Sequence, residues 1–279
     1  MKKMISTFLV LFLFTLQVTA QVNMNPDPNG DPWWSGGGEL LPPEQEALIP
    51  ELQLTPESAN SVLPDQVYNN DLMYFPPIFN QQGSSCVQAA EIGYTFTYEI
   101  NRLRNVSAGV WDVENNRENL YHHLYTYNFL NNGSGSATTY YTHGFGIIKQ
   151  NGCPMYNIYY DPALETDDKF KYWMNDYNNY VSGMQNRIED YNYIFFDTDY
   201  SSLDNLKHWL ADHGTEDETG GLAIISVLTG GWNPYNTLPL GTPHEGEYLI
   251  TNLGTTIGTG TRADSIIFIE VVQIPKDNH

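Results

Sequence analysis

From Cys86 onward, small and apolar residues recur as Ala89, Gly93, Phe96, Ile100 and Leu103, at steps of four, three, four and three. That is the period of a helix buried along one side. Ser85 stands at the N-cap position and Gln88 follows three residues later, the spacing of a capping box. Asn105 and the polar residues after it close the stripe. The same reading predicts a helix over Arg117 to Leu130 and a short one over Gly144 to Gln150 closed by Asn151-Gly152. Another runs over Leu203 to His213, with Leu203, Leu206 and Leu210 on one face. After Gly220 the character changes: Leu222 to Leu228 is a short apolar run with Ile224, Ile225 and Val227, and Tyr248 to Thr251 and Ser265 to Ile274 read as further strands. Helices first and strands later describe an α+β protein with its elements segregated.

The ends of the chain divide differently from the middle. Lys2 and Lys3, an apolar run from Phe8 to Leu16 and Val18-Thr19-Ala20 before Gln21 form the three parts of an export signal, so residues 1–20 are expected to be cleaved after Ala20. The run is short of the roughly 20 apolar residues that span a bilayer, and the mature protein is expected to be secreted with no membrane association. Residues 21–60 are rich in Pro, Gly, Asn and acidic residues, with Ser35-Gly36-Gly37-Gly38 and Pro42-Pro43. They read as a tether or short pro-segment without a core of its own, in which Trp33 and Trp34 dock on the domain. Residues 61–279 are then the folded domain.

Composition narrows the partners. The formal net charge is −21, and loss of Lys2 and Lys3 with the leader leaves the mature chain more acidic still, which argues against a nucleic-acid surface or an anionic membrane. Such acidity also serves solubility alone. With 41% hydrophobic residues the chain can bury a real core. Two cysteines, Cys86 and Cys153, are too few for a disulfide scaffold.

Cys86 is the residue with chemistry to offer. A thiol in the first turn of a buried helix faces the positive end of the helix dipole, which favours the thiolate. Gly83-Ser84-Ser85 supplies a tight turn into the helix, and Asn80-Gln81-Gln82 places side-chain amides just upstream, where one can hold a developing oxyanion. From the residues alone, an inert buried thiol after a turn is an equal reading, and a Cys86–Cys153 bridge is a third. His122-His123 in a Tyr-rich helix reads as a polar face, no metal-ligand pattern is present, and the 20 tyrosines and 6 tryptophans read as core and rim packing or a sugar-binding surface.

The run Asn80-Gln81-Gln82-Gly83-Ser84-Ser85-Cys86-Val87-Gln88-Ala89 resembles the active-site segment of papain-family cysteine peptidases, in which Asn-Gln-Gly precedes Gly-Ser-Cys-Trp-Ala. Leu63-Pro64-Asp65-Gln66-Val67 is similar to that family's mature start, and Gly146 to Pro154 to the region before its Tyr-Pro motif. The resemblance implies a two-lobed fold with a helical N-terminal lobe and a β-rich C-terminal lobe, and hydrolysis of a protein or peptide substrate through an acyl-enzyme on Cys86, without cofactor or metal. It also implies an oxyanion donor, for which Gln81 is the better candidate beside Gln82, and an imidazole base. The family's base lies about 130 to 150 residues beyond its cysteine. His213 falls just before that window and His244 just beyond it; His244, after the Leu222 strand, is the candidate. Val87 replaces the family's Trp, Pro243-His244-Glu245-Gly246 differs from its Asn-His-Ala, and no Asn-Ser-Trp-Gly follows. These departures leave open an inactive papain-fold fragment or pseudoenzyme that binds rather than cuts, with Thr255 to His279 an unrelated tail, and an unrelated glycan-binding protein.

Overall fold

A computed structural model of the chain describes residues 38–39, 41–77, 79, 81–108, 119–159, 167–174, 176–194, 201–215, 217–227 and 266–273. The apolar stripe becomes one continuous helical run. It opens as α3 (Cys86–Gln88), after the short helices α1 (Pro43–Glu46) and α2 (Pro56–Ala59), passes into a π-helical stretch Ala89–Phe96, and continues as α4 (Thr97–Arg104). Asn105 ends it in the left-handed conformation, φ 51°, and Arg102 and Arg104 lie in its last turn, where positive charge suits the dipole. Wider π geometry lets the Thr97 hydroxyl donate to the Ile92 carbonyl at 2.9 Å. The run is central rather than half-buried: Ile92, Phe96 and Ile100 face the main core, but Glu91, Thr95, Tyr98 and Glu99 are buried as well.

Around it pack α5 (Leu124–Leu130), α6 (His143–Asn151) and α7 (Tyr156–Tyr159), whose Leu124, Tyr127, Phe145, Ile148 and Tyr156 join Ile92 and Phe96 in one cluster with Cys153. The helix expected over Arg117 to Leu130 is shorter. Residues 109–118 lie outside the described residues, Tyr121 bridges Met155 as isolated strand, and the helix begins only at Leu124. Gly152, φ +69°, closes α6 where the Asn-Gly pair was expected to.

After α8 (Tyr177–Met184) the chain forms β3 (Asp190–Ile194), α9 (Ser201–Asp212), β4 (Ile224–Val227) and β5 (Ile266–Gln273). The three strands make one antiparallel sheet in the order β3-β5-β4, with Asp190 opposite Gln273 and Ile224 opposite Glu270. The protein is thus of α+β class. The strand expected at Tyr248 to Thr251 lies outside the described residues.

Residues 41–60 are not a tether. Leu41 and Leu52 are buried, and this N-terminal strap exchanges backbone bonds with Tyr193 of β3, Leu52 N–H to Tyr193 O at 2.7 Å and Tyr193 N–H to Pro50 O at 2.9 Å. Leu52 also packs with Ile194, Leu206, Trp209 and Leu210 in a second cluster. Ser58, fully buried, donates to the Asp212 carboxylate at 2.9 Å beside His208, which fastens α2 to α9. The folded unit therefore extends well upstream of Ser61, because a few anchors in a polar segment suffice when they meet preformed elements. Residues 21–37, with Trp33 and Trp34, lie outside the described residues.

Candidate active site

Cys86 is the first residue of α3 and is half-buried. The turn that delivers it depends on Gly83, φ +65°, where a Cβ would collide with the Gly135 carbonyl and the Phe170 ring; only glycine fits such a position without strain. Two bonds set the turn: Ser84 N–H to Gly135 O at 2.8 Å and Ser85 Oγ to Gln82 O at 2.7 Å. Ser85 is the N-cap residue by position, but its hydroxyl is spent on the turn and caps nothing. The capping box is not formed, for Gln88 turns instead to Thr139 Oγ1 at 3.3 Å. The N–H groups of the first turn are therefore left uncapped by Ser85 beside the thiol, where they favour negative charge.

The wall behind the turn comes from α5. Tyr127 donates to the Ala137 carbonyl at 2.8 Å, steadying the loop whose Gly135 receives Ser84, and burial, then the neighbouring Cys86, push its phenol up to about 12. His123, expected on a polar face with His122, is instead 2% exposed. Its ring stacks between Phe79 and His122, at centroid distances of 5.2 and 4.6 Å, and its Nε2 accepts the Gln82 N–H at 3.4 Å. Burial lowers its pKa to about 3, so the ring is neutral and serves as an acceptor that holds the loop. No sequence pattern marks this role, since the contact is to a backbone amide.

Of the two glutamines, Gln81 is exposed and its amide donates to Gly83 O at 3.3 Å, at the rim of the turn. Gln82 is partly buried, with an Oε1 that has no partner among the described residues. No disulfide joins Cys86 to Cys153. Cys153 lies in the core with 0% exposure, and burial pushes its thiol well up, as for an inert cysteine.

The other described histidines have partners of their own. His122 Nδ1 accepts the Leu124 N–H at 3.0 Å, His143 faces Gln45, and His208 sits between Ser58 and Ser61. His213 is locked between Glu99, at 2.9 Å, and the Thr219 carbonyl. Glu99 stands 13 residues along the helix from Cys86, about 20 Å at the helical rise, so His213 is not the base. His244 lies outside the described residues. The strap also passes Val87, the residue after Cys86: β1 (Gly38–Glu39) pairs in parallel with β2 (Thr139–Tyr140), Thr138 donates to the Glu39 carboxylate, and a Cβ on Gly38 would meet Tyr141 and Val87. Among the described residues no group of acidic, His and Cys side chains could hold a metal ion, and no helix is long and apolar enough to cross a membrane.

No protein-family model and no curated protein matches the chain. Among solved structures it is similar to xylellain, a cysteine protease from Xylella fastidiosa, at 16% identity and a TM-score of 0.49, over 75% of this chain and 74% of that one.

Proposed function

We propose that this chain is a secreted cysteine peptidase of papain-like, two-lobed fold. The observation that carries the reading is the delivery of a half-buried Cys86 to the uncapped first turn of the central helix by a glycine-dependent turn. In the proposed reaction the Cys86 thiolate attacks a peptide carbonyl, the amine leaves with a proton, and water hydrolyses the thioester. The first-turn N–H groups and Gln81 hold the oxyanion, and His244 moves the proton. His123 keeps the loop in place from behind.

Labelling of the folded, purified protein with an epoxide selective for papain-type thiolates tests this. Wild type is expected to label at Cys86, Cys86→Ala not at all, and His244→Ala at least about a hundredfold more slowly, the contribution of a general base. An intact fold that does not label would leave a binding protein on the same scaffold. Labelling that survives in His244→Ala but not in Cys86→Ala would assign the base to another residue.

The strap against Val87 fits a short pro-segment. Gly38 rests against Val87 with no space for a side chain, so Gly38→Val is expected to lift β1 from β2 and speed Cys86 labelling several-fold. An unchanged rate would mean that the strap does not limit access.

A further inference from the structure

α5 turns three polar side chains toward the turn that delivers Cys86. His123, Tyr127 and Asn131 follow one another at steps of four along the helix and its two caps, which sets them in line on one face. Each is at most 2% exposed. We infer that this face positions the thiol, and that Tyr127 is the residue through which it acts on Cys86. The inference deepens the cysteine-peptidase reading and rests on it.

Each of the three grips a different piece of backbone around the turn. His123 accepts the Gln82 N–H on the upstream side. Asn131 Oδ1 accepts the Gly133 N–H at 2.8 Å, and its Nδ2 donates to the Phe170 carbonyl at 2.9 Å. Between them, the single Tyr127 hydroxyl hydrogen is shared by the Ala137 carbonyl at 2.8 Å and the Ser134 carbonyl at 3.3 Å.

These bonds close residues 131–137 into a fixed loop. Ser134 N–H meets Asn131 O at 2.9 Å across Asn132 and Gly133, whose φ values of 49° and +76° are the left-handed positions of a tight turn. The Gly135 carbonyl of that loop takes the Ser84 N–H at 2.8 Å, two residues before the thiol. The Phe170 ring lies against both Gly83 and Gly135, with no space for a Cβ on either. Loop and turn are pressed together, so a displacement of one is passed to the other.

Tyr127 is also coupled to the thiol itself. After burial, the neighbouring Cys86 is what raises its phenol to about 12, which keeps it a neutral donor with its hydrogen on the loop carbonyls. It therefore acts through the loop, by fixing where Ser84 leaves the turn and so how the first-turn N–H groups of the central helix stand to the sulfur. Those groups favour the thiolate. The other titratable groups around the turn are His123, neutral with its pKa at about 3, Lys169 over the Phe170 ring at 5.3 Å, Lys171 against Gly133, and Glu39 at Thr138. Tyr127→Phe leaves all four in place.

The test is the pH dependence of Cys86 alkylation by iodoacetamide, read by mass spectrometry on the folded full chain, in wild type, Tyr127→Phe and Tyr98→Phe. Tyr127→Phe keeps the ring and deletes only the hydroxyl. Tyr98→Phe removes a comparable bond, from a phenol of 0% exposure to the Gly220 carbonyl at 2.6 Å, about 18 Å along the helical rise from the thiol. The alkylation midpoint is expected to rise by roughly half a pH unit in Tyr127→Phe, the scale of a helix-end interaction partly lost. In Tyr98→Phe it is expected to stay in place, although both variants unfold at lower urea. The wild-type chain carries a second readout: with isotope-labelled tyrosine, one Cζ resonance is expected to shift at the Cys86 midpoint and to lose that step in Cys86→Ala. A Tyr127→Phe midpoint that moves no more than that of Tyr98→Phe would overturn the inference, as would a wild-type spectrum in which no tyrosine follows the thiol. Alkylation reads the thiol and not turnover, so failure of the peptidase reading shows separately, as intact shifts in a chain that cuts no peptide.

Discussion

Glu99→Ala is expected to cost about 3 to 5 kcal/mol, the scale on which removing one partner of a buried ionic group destabilises a protein. Glu99 is 2% exposed and gathers three donors: Arg102 Nε at 3.2 Å, His213 Nε2 at 2.9 Å and the Leu222 N–H at 3.3 Å. Arg102 in turn reaches Asp217 at 2.8 Å. Its guanidinium pKa is raised, although burial, the largest single influence, pulls the other way; Glu99 and Asp217 outweigh it. Taking away the carboxylate leaves a half-buried guanidinium, a buried imidazole and a backbone N–H without their acceptor. Solvated surface pairs such as Lys207–Asp204 are worth at most about 1 kcal/mol, so Lys207→Ala is the control. Urea unfolding measures both. A Glu99→Ala cost no larger than the control would mean that water replaces the carboxylate and that the network does not tie α4 to the turn after α9. A double-mutant cycle with His213→Ala is expected to show coupling above about 1 kcal/mol, since the two side chains share the bond.

That network shows where sequence reading ends. The central helix was legible because its apolar steps of four and three are local, and its two ends are marked by Gly83-Ser84-Ser85 and by Asn105. Glu91 and Glu99 break the expectation that charged positions face water, and nothing local announces it, because their partners lie at Thr142 to Phe145 and at His213 to Leu222. β3 escaped notice for a related reason. Asp190-Tyr191-Asn192-Tyr193 alternates polar with tyrosine rather than with aliphatic residues, and it becomes a strand through pairing with the distant β5. Pro-rich composition made residues 41–60 read as a tether, whereas Leu41, Leu52 and Ser58 meet surfaces that exist only once the rest has folded. In the site, Cys86 and its turn were readable from spacing, but His123 was not: a histidine that accepts one backbone N–H has no signature beyond its apolar neighbours.

Stability is expected to follow a plateau in pH, because two buried groups near the site titrate in opposite senses. Glu91 accepts the Thr142 N–H at 2.7 Å and the Phe145 N–H at 3.2 Å, which caps α6 from the central helix. Burial nevertheless raises its pKa from 4.5 to about 8, against those bonds. A protonated Glu91 also has a hydrogen to give to Gln88 Oε1, which is buried without a partner among the described residues and shares with Glu91 the space over Gly144. With its folded pKa above the unfolded one, the stability Glu91 contributes is fully present below about 4.5 and is lost as pH rises to about 8, at about 1.4 kcal/mol per pH unit. His123 runs the other way. Its folded pKa of about 3 lies below the unfolded 6.5, so its contribution is present above about 6.5 and lost as pH falls to about 3. Between about 4.5 and 6.5 the two slopes cancel, which leaves a rise below that range and a fall above it. Urea midpoints taken across the range measure the profile. Glu91→Gln, which keeps the shape and places an amide hydrogen beside Gln88, is expected to abolish the fall toward pH 8 while sparing the acid side. A wild-type profile that stays flat above pH 6.5 would show that Glu91 ionises freely in the folded protein, and that α6 is capped by a carboxylate with no proton between it and Gln88.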